Sequence, residues 1–260
     1  MAFRFSERHI EEWHHHGATV FRGILPASLV GELRRAADQG RALAREVGGK
    51  QAQRLQPVEK FGDRLDLEPF RSYVQLPELN DALQRVLSPG HRLAGLERMG
   101  VFYEPAEHPY CTHWHRDITA HSDGIDAAEF HALTKDPGFF TQINCALYSD
   151  HCTWYVPGSS ARPDLKAEVE AANMPDLSGR SDEERERICH AYAAGMPGAV
   201  QLLLEPGDLA LYQPNGWHIG NYAPYRKRAT IHDGVWTDES RAWHYRWMAK
   251  LEELRQSAAV

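Results

Sequence analysis

At 260 residues the chain is long enough to bury a substantial core in one large domain, and its 42% hydrophobic and 25% charged fractions are ordinary for a folded globular protein. A formal net charge of -7 and a pI near 6.1 argue against the basic face that a phosphate backbone requires, so no nucleic-acid partner is expected. There is no apolar run of transmembrane length, residues 1–9 lack a signal peptide's apolar core, and Cys111, Cys145, Cys152 and Cys189 show no Cys-x-x-Cys spacing; a cytoplasmic protein with reduced thiols and no membrane association is expected.

In chain order, Ser6 has N-cap chemistry, Phe5 and Ile10 are placed for a hydrophobic staple, and Gly17 suits a C′ position, so a helix is predicted between them. His14, His15 and His16 fall inside it, where consecutive side chains diverge, and are read as surface residues rather than a metal tract. Residues 18–25 are strand-like. Pro26, Ala27 and Ser28 then open a second helix whose Leu29, Leu33, Ala36, Ala37 and Leu43 form one apolar stripe, so the N-terminal helices span 6–46. Residues 48–70 mix charge, Gly and Pro without clear period, and 79–87 read as a short helix ending before Ser88-Pro89-Gly90.

From about 93 to 236 the pattern changes to short β-like runs punctuated by turns, at 96–103, 112–118, 141–148, 153–156, 200–204, 208–213 and 229–236. The fold class expected is mainly β with flanking helices. Two insertions interrupt this β-core: 119–138 is acidic and irregular, and 164–196 is helical and highly charged, the kind of segment that serves as a lid or binding loop. Residues 240–254 space Trp243, Trp247, Leu251 and Leu254 at helical intervals, a stripe read as core packing. With no internal repeat and no linker, a single domain over 1–260 is expected.

Residues 108–119, HPYCTHWHRDIT, carry the chemistry. On an extended chain His115 and Asp117 point to one face, because side chains alternate with period two. Two histidines and one carboxylate on one side of iron(II) form the facial triad of non-haem oxygenases, and His218, in Asn215-Gly216-Trp217-His218, is the candidate third ligand. His121-Ser122-Asp123 is a second triplet of the same form, His113 offers a rival His-x-His pair with His115, and Cys111 nearby leaves a zinc site open. The turn Glu205-Pro206-Gly207-Asp208 leads into a strand, after which His218 is expected on a loop facing a cavity. The next strand begins near Arg226-Lys227-Arg228, where an arginine can clamp a dicarboxylate through a bidentate pair.

On these segments the chain resembles the phytanoyl-CoA dioxygenase family of iron(II)/2-oxoglutarate oxygenases. The opening FSERHIEEWHHHGATVFRGILPASLVGELRRAA, then HWHRD, YVPGSSARP and PGDLALYQPNGWHIGNYAPYRKRATI carry the likeness, which covers about residues 5–236. The resemblance implies a double-stranded β-helix (jelly-roll, cupin-like) core. It also implies iron(II) as metal, 2-oxoglutarate and O2 as cosubstrates, and a small-molecule substrate of natural-product or acyl type, hydroxylated at an unactivated C–H with release of succinate and CO2. It selects His115 over His121 and makes His115, Asp117 and His218 the metal ligands and catalytic centre. Related halogenases carry a small residue in place of Asp117, so its presence implies a hydroxylase-type outcome. Carried over residue by residue, 2-oxoglutarate contacts fall on Arg228, or on Arg226 if the loop is shorter, and on Gln142, Asn144 and Tyr103. Substrate contacts fall on His113, His232 and Trp154. Arg116 and Trp114 should face away from the metal.

Two departures stand out. Gly220 occupies the place of the family's usual hydroxyl two residues after the distal histidine, and the turn before the PGS segment is shortened to Asp150-His151-Cys152. A cupin-like metal isomerase or hydrolase, a non-catalytic binding protein of the same fold and a structural zinc protein remain alternatives. The sequence names neither the substrate nor the oligomeric state.

Overall fold

Helix α1 (Glu7–His16) starts after Ser6, whose backbone N–H donates to His9 Nδ1 at 3.1 Å, and stops at Gly17, which takes the left-handed φ of 69° that a side chain would resist. The computed structural model describes residues 3–258. After α1 come β1 (Ala18–Phe21), α2 (Ala27–Gly48), β2 (Arg54–Leu55), α3 (Glu68–Val74), α4 (Pro77–Val86), β3 (Arg92–Leu93), β4 (Gly100–Tyr103) and β5 (Tyr110–Cys111). The second half contributes α5 (Ala127–Leu133), β6 (Gln142–Ala146), β7 (Thr153–Tyr155), α6 (Lys166–Ala171), α7 (Asp182–Ala194), β8 (Val200–Gln201), β9 (Leu209–Tyr212), β10 (His218–Tyr222), β11 (Ala229–Asp233), β12 (Val235–Trp236) and α8 (Asp238–Ala258).

The strands pair antiparallel into a six-stranded sheet, β1-β9-β6-β11-β4-β2, and a four-stranded sheet, β5-β10-β7-β8, with β3 and β12 as a separate pair. Directly opposed residues share a face. In the larger sheet the register therefore lines up Leu55, Val101, Ile231, Cys145, Leu209 and Phe21 on one side. All six are buried in the cluster that also holds Leu33 and Ala37 of α2 and Leu79 and Leu83 of α4. Burying each large member contributes roughly 1.5–3 kcal/mol, so this row anchors the sheet to the N-terminal helices. The alternate positions, Arg54, Phe102, Thr230, His232, Asn144 and Gln142, face the other way and are markedly more polar. In the smaller sheet, Cys111, Trp154 and Ile219 pack outward against Cys189 and Ala193 of α7, while His218, Gly220, Tyr222 and Thr153 take the opposite face.

Several expectations are corrected. The chain is not mainly β: among the described residues more are helical than extended. Helix α3 lies at the end of the stretch that lacked a period, and the insertion at 119–138 contains α5, capped by Asp126 Oδ1 accepting from Glu129 N–H at 2.9 Å. The strands are shorter than their apolar runs: 96–103 pairs only as Gly100–Tyr103 and 229–236 divides into Ala229–Asp233 and Val235–Trp236. His14, His15 and His16 are exposed, as read, and the four cysteines are free thiols. No helix among the described residues is long and apolar enough to cross a membrane.

Asp233, at the end of β11, is buried and accepts from Gly234 N–H at 2.8 Å. Burial pushes its carboxyl up to about 8, against roughly 4 in an unfolded chain. The folded protein thus holds a proton that the unfolded chain releases, so the stabilising contribution is complete below about pH 4 and is lost as pH rises through about 8. Asp233→Asn is expected to flatten this dependence: the melting temperature of the parent should fall more between about pH 5 and pH 8 than that of the variant. Parallel melting curves would contradict it.

Candidate active site

His115 and His218 meet across a single antiparallel bridge, each backbone N–H donating to the other's carbonyl at 3.1 and 3.0 Å. Residues that exchange both bonds project side chains to one face, and the two imidazole centroids stand 4.3 Å apart. Asp117, held by its N–H donating to Pro214 O at 2.9 Å, keeps the alternation of an extended chain although residues 112–118 form no regular strand. Its Oδ1 lies 3.3 Å from His115 Nε2 and 3.6 Å from His218 Nε2. Ligating atoms of these three residues all lie within 4.8 Å of one another, the one such group of three among the described residues.

The other ring nitrogens fix the tautomers. His115 Nδ1 is 2.8 Å from His113 O, and His218 Nδ1 is 2.9 Å from Gly216 O. A carbonyl only accepts, so each Nδ1 carries the proton and each Nε2 turns its lone pair inward, as metal ligation requires. Burial drives the His218 imidazole down to about 4, so it is neutral at pH 7. Burial opposes charge on Asp117 as well, but the adjoining imidazoles of His115 and His218 outweigh it and bring the carboxyl to about 2.

Behind the carboxylate runs a polar chain. Gln142 Nε2 donates to Asp117 Oδ2 at 3.1 Å and to His232 Nε2 at 3.0 Å; His232 Nδ1 donates to Asn144 Oδ1 at 2.9 Å, and Asn144 Nδ2 to Thr153 Oγ1 at 3.1 Å. Burial, then the nearby Arg54 charge, press His232 down to about 3, which suits its role as acceptor at Nε2. The chain links both sheets and stops Asp117 from rotating away.

Triad, Gln142, Asn144, His232 and Arg228 line one cavity of about 170 Å³ between the sheets. Arg228 is buried, with its Nε donating to Asp150 Oδ2 at 2.8 Å, and its Nη groups bond no described residue. Tyr222 lines the same cavity, its ring centre 5.2 Å from the Arg228 guanidinium carbon. A Cβ built on Gly220 would lie 1.9 Å from Tyr222 Oη, so the phenol fills the space where a side chain at 220 would project. Tyr222 was not among the sequence candidates, and only the glycine at 220 hinted that a neighbour had taken its room.

A second cavity of about 610 Å³ adjoins the first, sharing Arg54, Asp117, Gln142 and His232. It is walled by Phe139 and Phe140 and by Trp243 and Trp247 of α8, so the C-terminal stripe covers the site as well as packing against Phe130. Arg54, in the stretch that carried no period, also escaped sequence reasoning; a two-residue edge strand leaves no pattern to find.

Other expected contacts lie elsewhere. Tyr103 belongs to the helix-facing side of the larger sheet, buried with the Arg41 guanidinium carbon 5.0 Å from its ring centre, so it is removed from the pocket. Trp154 packs on the outer face of the smaller sheet beside His190. Arg226 sits in an exposed turn, its Nη2 3.1 Å from Glu186 Oε1; the ladder begins only at Ala229, so strand parity does not extend to it. His113 is exposed, and its carbonyl rather than its ring serves the site. His121 is exposed and outside the cluster. His218 stands on β10 rather than on a loop. Arg116 faces away from the metal as expected, donating to Ser159 O and Asn215 O at 2.8 Å, and Ser159 Oγ in turn accepts from Trp217 N–H at 2.8 Å, which buttresses His218.

No curated protein matches the sequence. Solved structures are similar over most of the chain: the epimerase SnoN in complex with Fe3+, alpha ketoglutarate and nogalamycin RO (17% identity, TM-score 0.57, covering 89% of this chain and 83% of that one); the non-haem alpha ketoglutarate dependent carbocyclase SnoK from nogalamycin biosynthesis (17%, 0.56, 90% and 85%); and AviO1 from Streptomyces viridochromogenes Tue57 (17%, 0.59, 89% and 94%). At that identity they speak for the fold. The phytanoyl-CoA dioxygenase family model matches residues 13–221, most of the described chain and all three members of the triad, and the chain belongs to that family.

Proposed function

We propose that the protein is an iron(II)- and 2-oxoglutarate-dependent oxygenase that hydroxylates an unactivated C–H of a small molecule, releasing succinate and CO2, and that it works as one oxygenase domain on a double-stranded β-helix core. The convergence of His115 Nε2, His218 Nε2 and an Asp117 oxygen within 4.8 Å carries the reading. Two neutral imidazoles and one carboxylate are a donor set that suits non-haem iron(II) with open positions left over. Arg228 lines the same cavity with only its Nε committed, to Asp150, which suits a guanidinium that would hold the distal carboxylate of 2-oxoglutarate. SnoN, bound to Fe3+ and alpha ketoglutarate, is a fold neighbour that supports the same assignment.

Iron(II) with 2-oxoglutarate and O2 supplies the oxidative chemistry; the chain supplies placement. His115 and His218 are oriented by their Nδ1–H bonds, Asp117 is held by Gln142, and Arg228 is presented by Asp150. Tyr222 Oη, beside Arg228, offers the hydroxyl that Gly220 lacks. The aromatic wall of the larger cavity offers an apolar surface beside the metal ligands. Asp117 occupies the position that a halide would need, which disfavours halogenation. Because SnoK is a carbocyclase and SnoN an epimerase, ring closure or inversion at carbon is the second reading of the outcome.

Anaerobic addition of iron(II) and 2-oxoglutarate should produce a weak visible charge-transfer band, and admission of O2 should yield succinate. A metal isomerase or hydrolase would show neither, and a protein with structural zinc would unfold on chelation.

A further inference from the structure

We propose that the larger cavity is the substrate site for a planar, mostly apolar carboxylic acid, its carboxylate held by Arg54 and Arg98 and its ring system by the aromatic face of α8; this rests on the oxygenase reading, since the cavity ends on the Asp117 side of the triad.

The cavity is of small-molecule size, about 610 Å³, and shares Asp117, Gln142, His232 and Arg54 with the inner cavity. A molecule filling it therefore borders the metal ligands. One wall is flat and apolar. Trp243 and Trp247 stack with centroids 5.6 Å apart and an interplanar angle of 27°, and Phe140 meets Trp243 edge-on at 5.2 Å. Such surfaces favour stacked or edge-on rings over branched aliphatic chains.

The other wall is cationic. Most arginines near this region have carboxylates: Arg92 is paired with Asp238, Arg241 with Glu97 and Arg228 with Asp150. Arg54 and Arg98 lie within 4.0 Å of no carboxylate among the described residues. Each is instead set against a ring, Arg54 with its guanidinium carbon 4.2 Å from the centre of Phe102 and Arg98 5.2 Å from that of Trp236. Stacking holds the plane of a guanidinium while leaving its N–H edge free, the presentation that grips a carboxylate bidentately. Arg98 Nη2 also donates to His244 Nε2 at 2.7 Å, which fixes it at the cavity edge; burial and the Arg98 charge hold that imidazole down near 4, so it accepts rather than repels. The acidic side chains that do line the cavity offer no free counter-ion: Asp117 is committed to the triad, and Asp233 is held protonated by burial and accepts from backbone N–H groups. In a chain of net charge -7, two guanidiniums without counter-ions in one aromatic cavity call for an anion from outside.

Calorimetric titration of the full chain under nitrogen, with iron(II) and saturating 2-oxoglutarate, tests this with 2-naphthoate and uncharged 2-naphthamide as probes. The acid should bind at least tenfold tighter than the amide. Arg54→Gln and Arg98→Gln should each shrink that ratio severalfold and leave amide affinity unchanged, Arg98→Lys should retain part of it, and Trp247→Leu should weaken both probes. Equal affinity for acid and amide, binding of neither, or a ratio that survives in the double glutamine variant would overturn the proposal, as would loss of the charge-transfer band when naphthoate is added, which would put the acid in the cosubstrate's place. If the band never forms without probe, it is the oxygenase reading that fails, and the ratio of acid to amide still reports on the cavity.

Discussion

Asp117→Ala is expected to lower iron-dependent succinate formation by about a thousandfold, a barrier increase on the order of 4 kcal/mol, and to leave less than one iron per chain after reconstitution. The reason is local. Asp117 is the only carboxylate of the triad, its Oδ1 within 3.6 Å of both imidazole Nε2 atoms and its Oδ2 held by Gln142. Alanine leaves two neutral imidazoles facing an ion with no charge to offset it. Because the Asp117 side chain is about one-third exposed, the variant should fold, with a stability change within about 1 kcal/mol. Iron content and succinate yield, measured together, check the result. Undiminished succinate production would remove Asp117 from the ligand set.

Arg228→Met is expected to raise the 2-oxoglutarate KM about a hundredfold, the cost of a lost charge-assisted pair of roughly 1.5–3 kcal/mol, and also to destabilise the fold. Arg228 and Asp150 are both nearly inaccessible, and Asp150 also accepts from Thr230 Oγ1 and, at 2.9 Å, from Cys152 N–H. Burial opposes the charge on Asp150, and the Arg228 guanidinium reverses that and holds the carboxyl below its usual range. Removing the arginine strands a buried anion, which costs about 3–5 kcal/mol. Two controls separate clamp from scaffold. Arg228→Lys keeps the charge but not the planar fork, so melting temperature should be largely retained while KM still rises. Asp150→Asn added to Arg228→Met should restore much of the stability and none of the cosubstrate affinity. Unchanged KM in every variant would move the clamp elsewhere, with Arg54 the nearest alternative.

What the sequence made legible was the part that depends on alternation and on short-range chemistry. His115 and Asp117 share a face because two backbone bonds, to His218 and to Pro214, hold the chain extended where no ladder exists. Gln142, Asn144 and His232 fell on the polar face together because regular pairing preserves parity. Tyr103, carried over from the family likeness, lies on the opposite face from its neighbour Phe102 on β4, and which of two adjacent residues faces the pocket depends on the partner strand. Trp154 and Arg226 failed alike, one by facing α7 and one by preceding the strand. Of the helices, α3 and α5 escaped because each is only seven residues long, two turns that give an apolar stripe no room to show its period, whereas the longer α7 was legible. The roles of α8 and Arg54 depend on contacts between segments far apart in the chain, which no local pattern encodes.

The crowding of Tyr222 against position 220 bears on how such pockets diversify. A serine at 220 would collide with the phenol, and a smaller residue at 222 alone would leave a hollow beside Arg228. The two sites are thus coupled: a side chain at 220 requires the ring at 222 to shift or shrink, so libraries that vary the pair together should recover arrangements that single substitutions penalise.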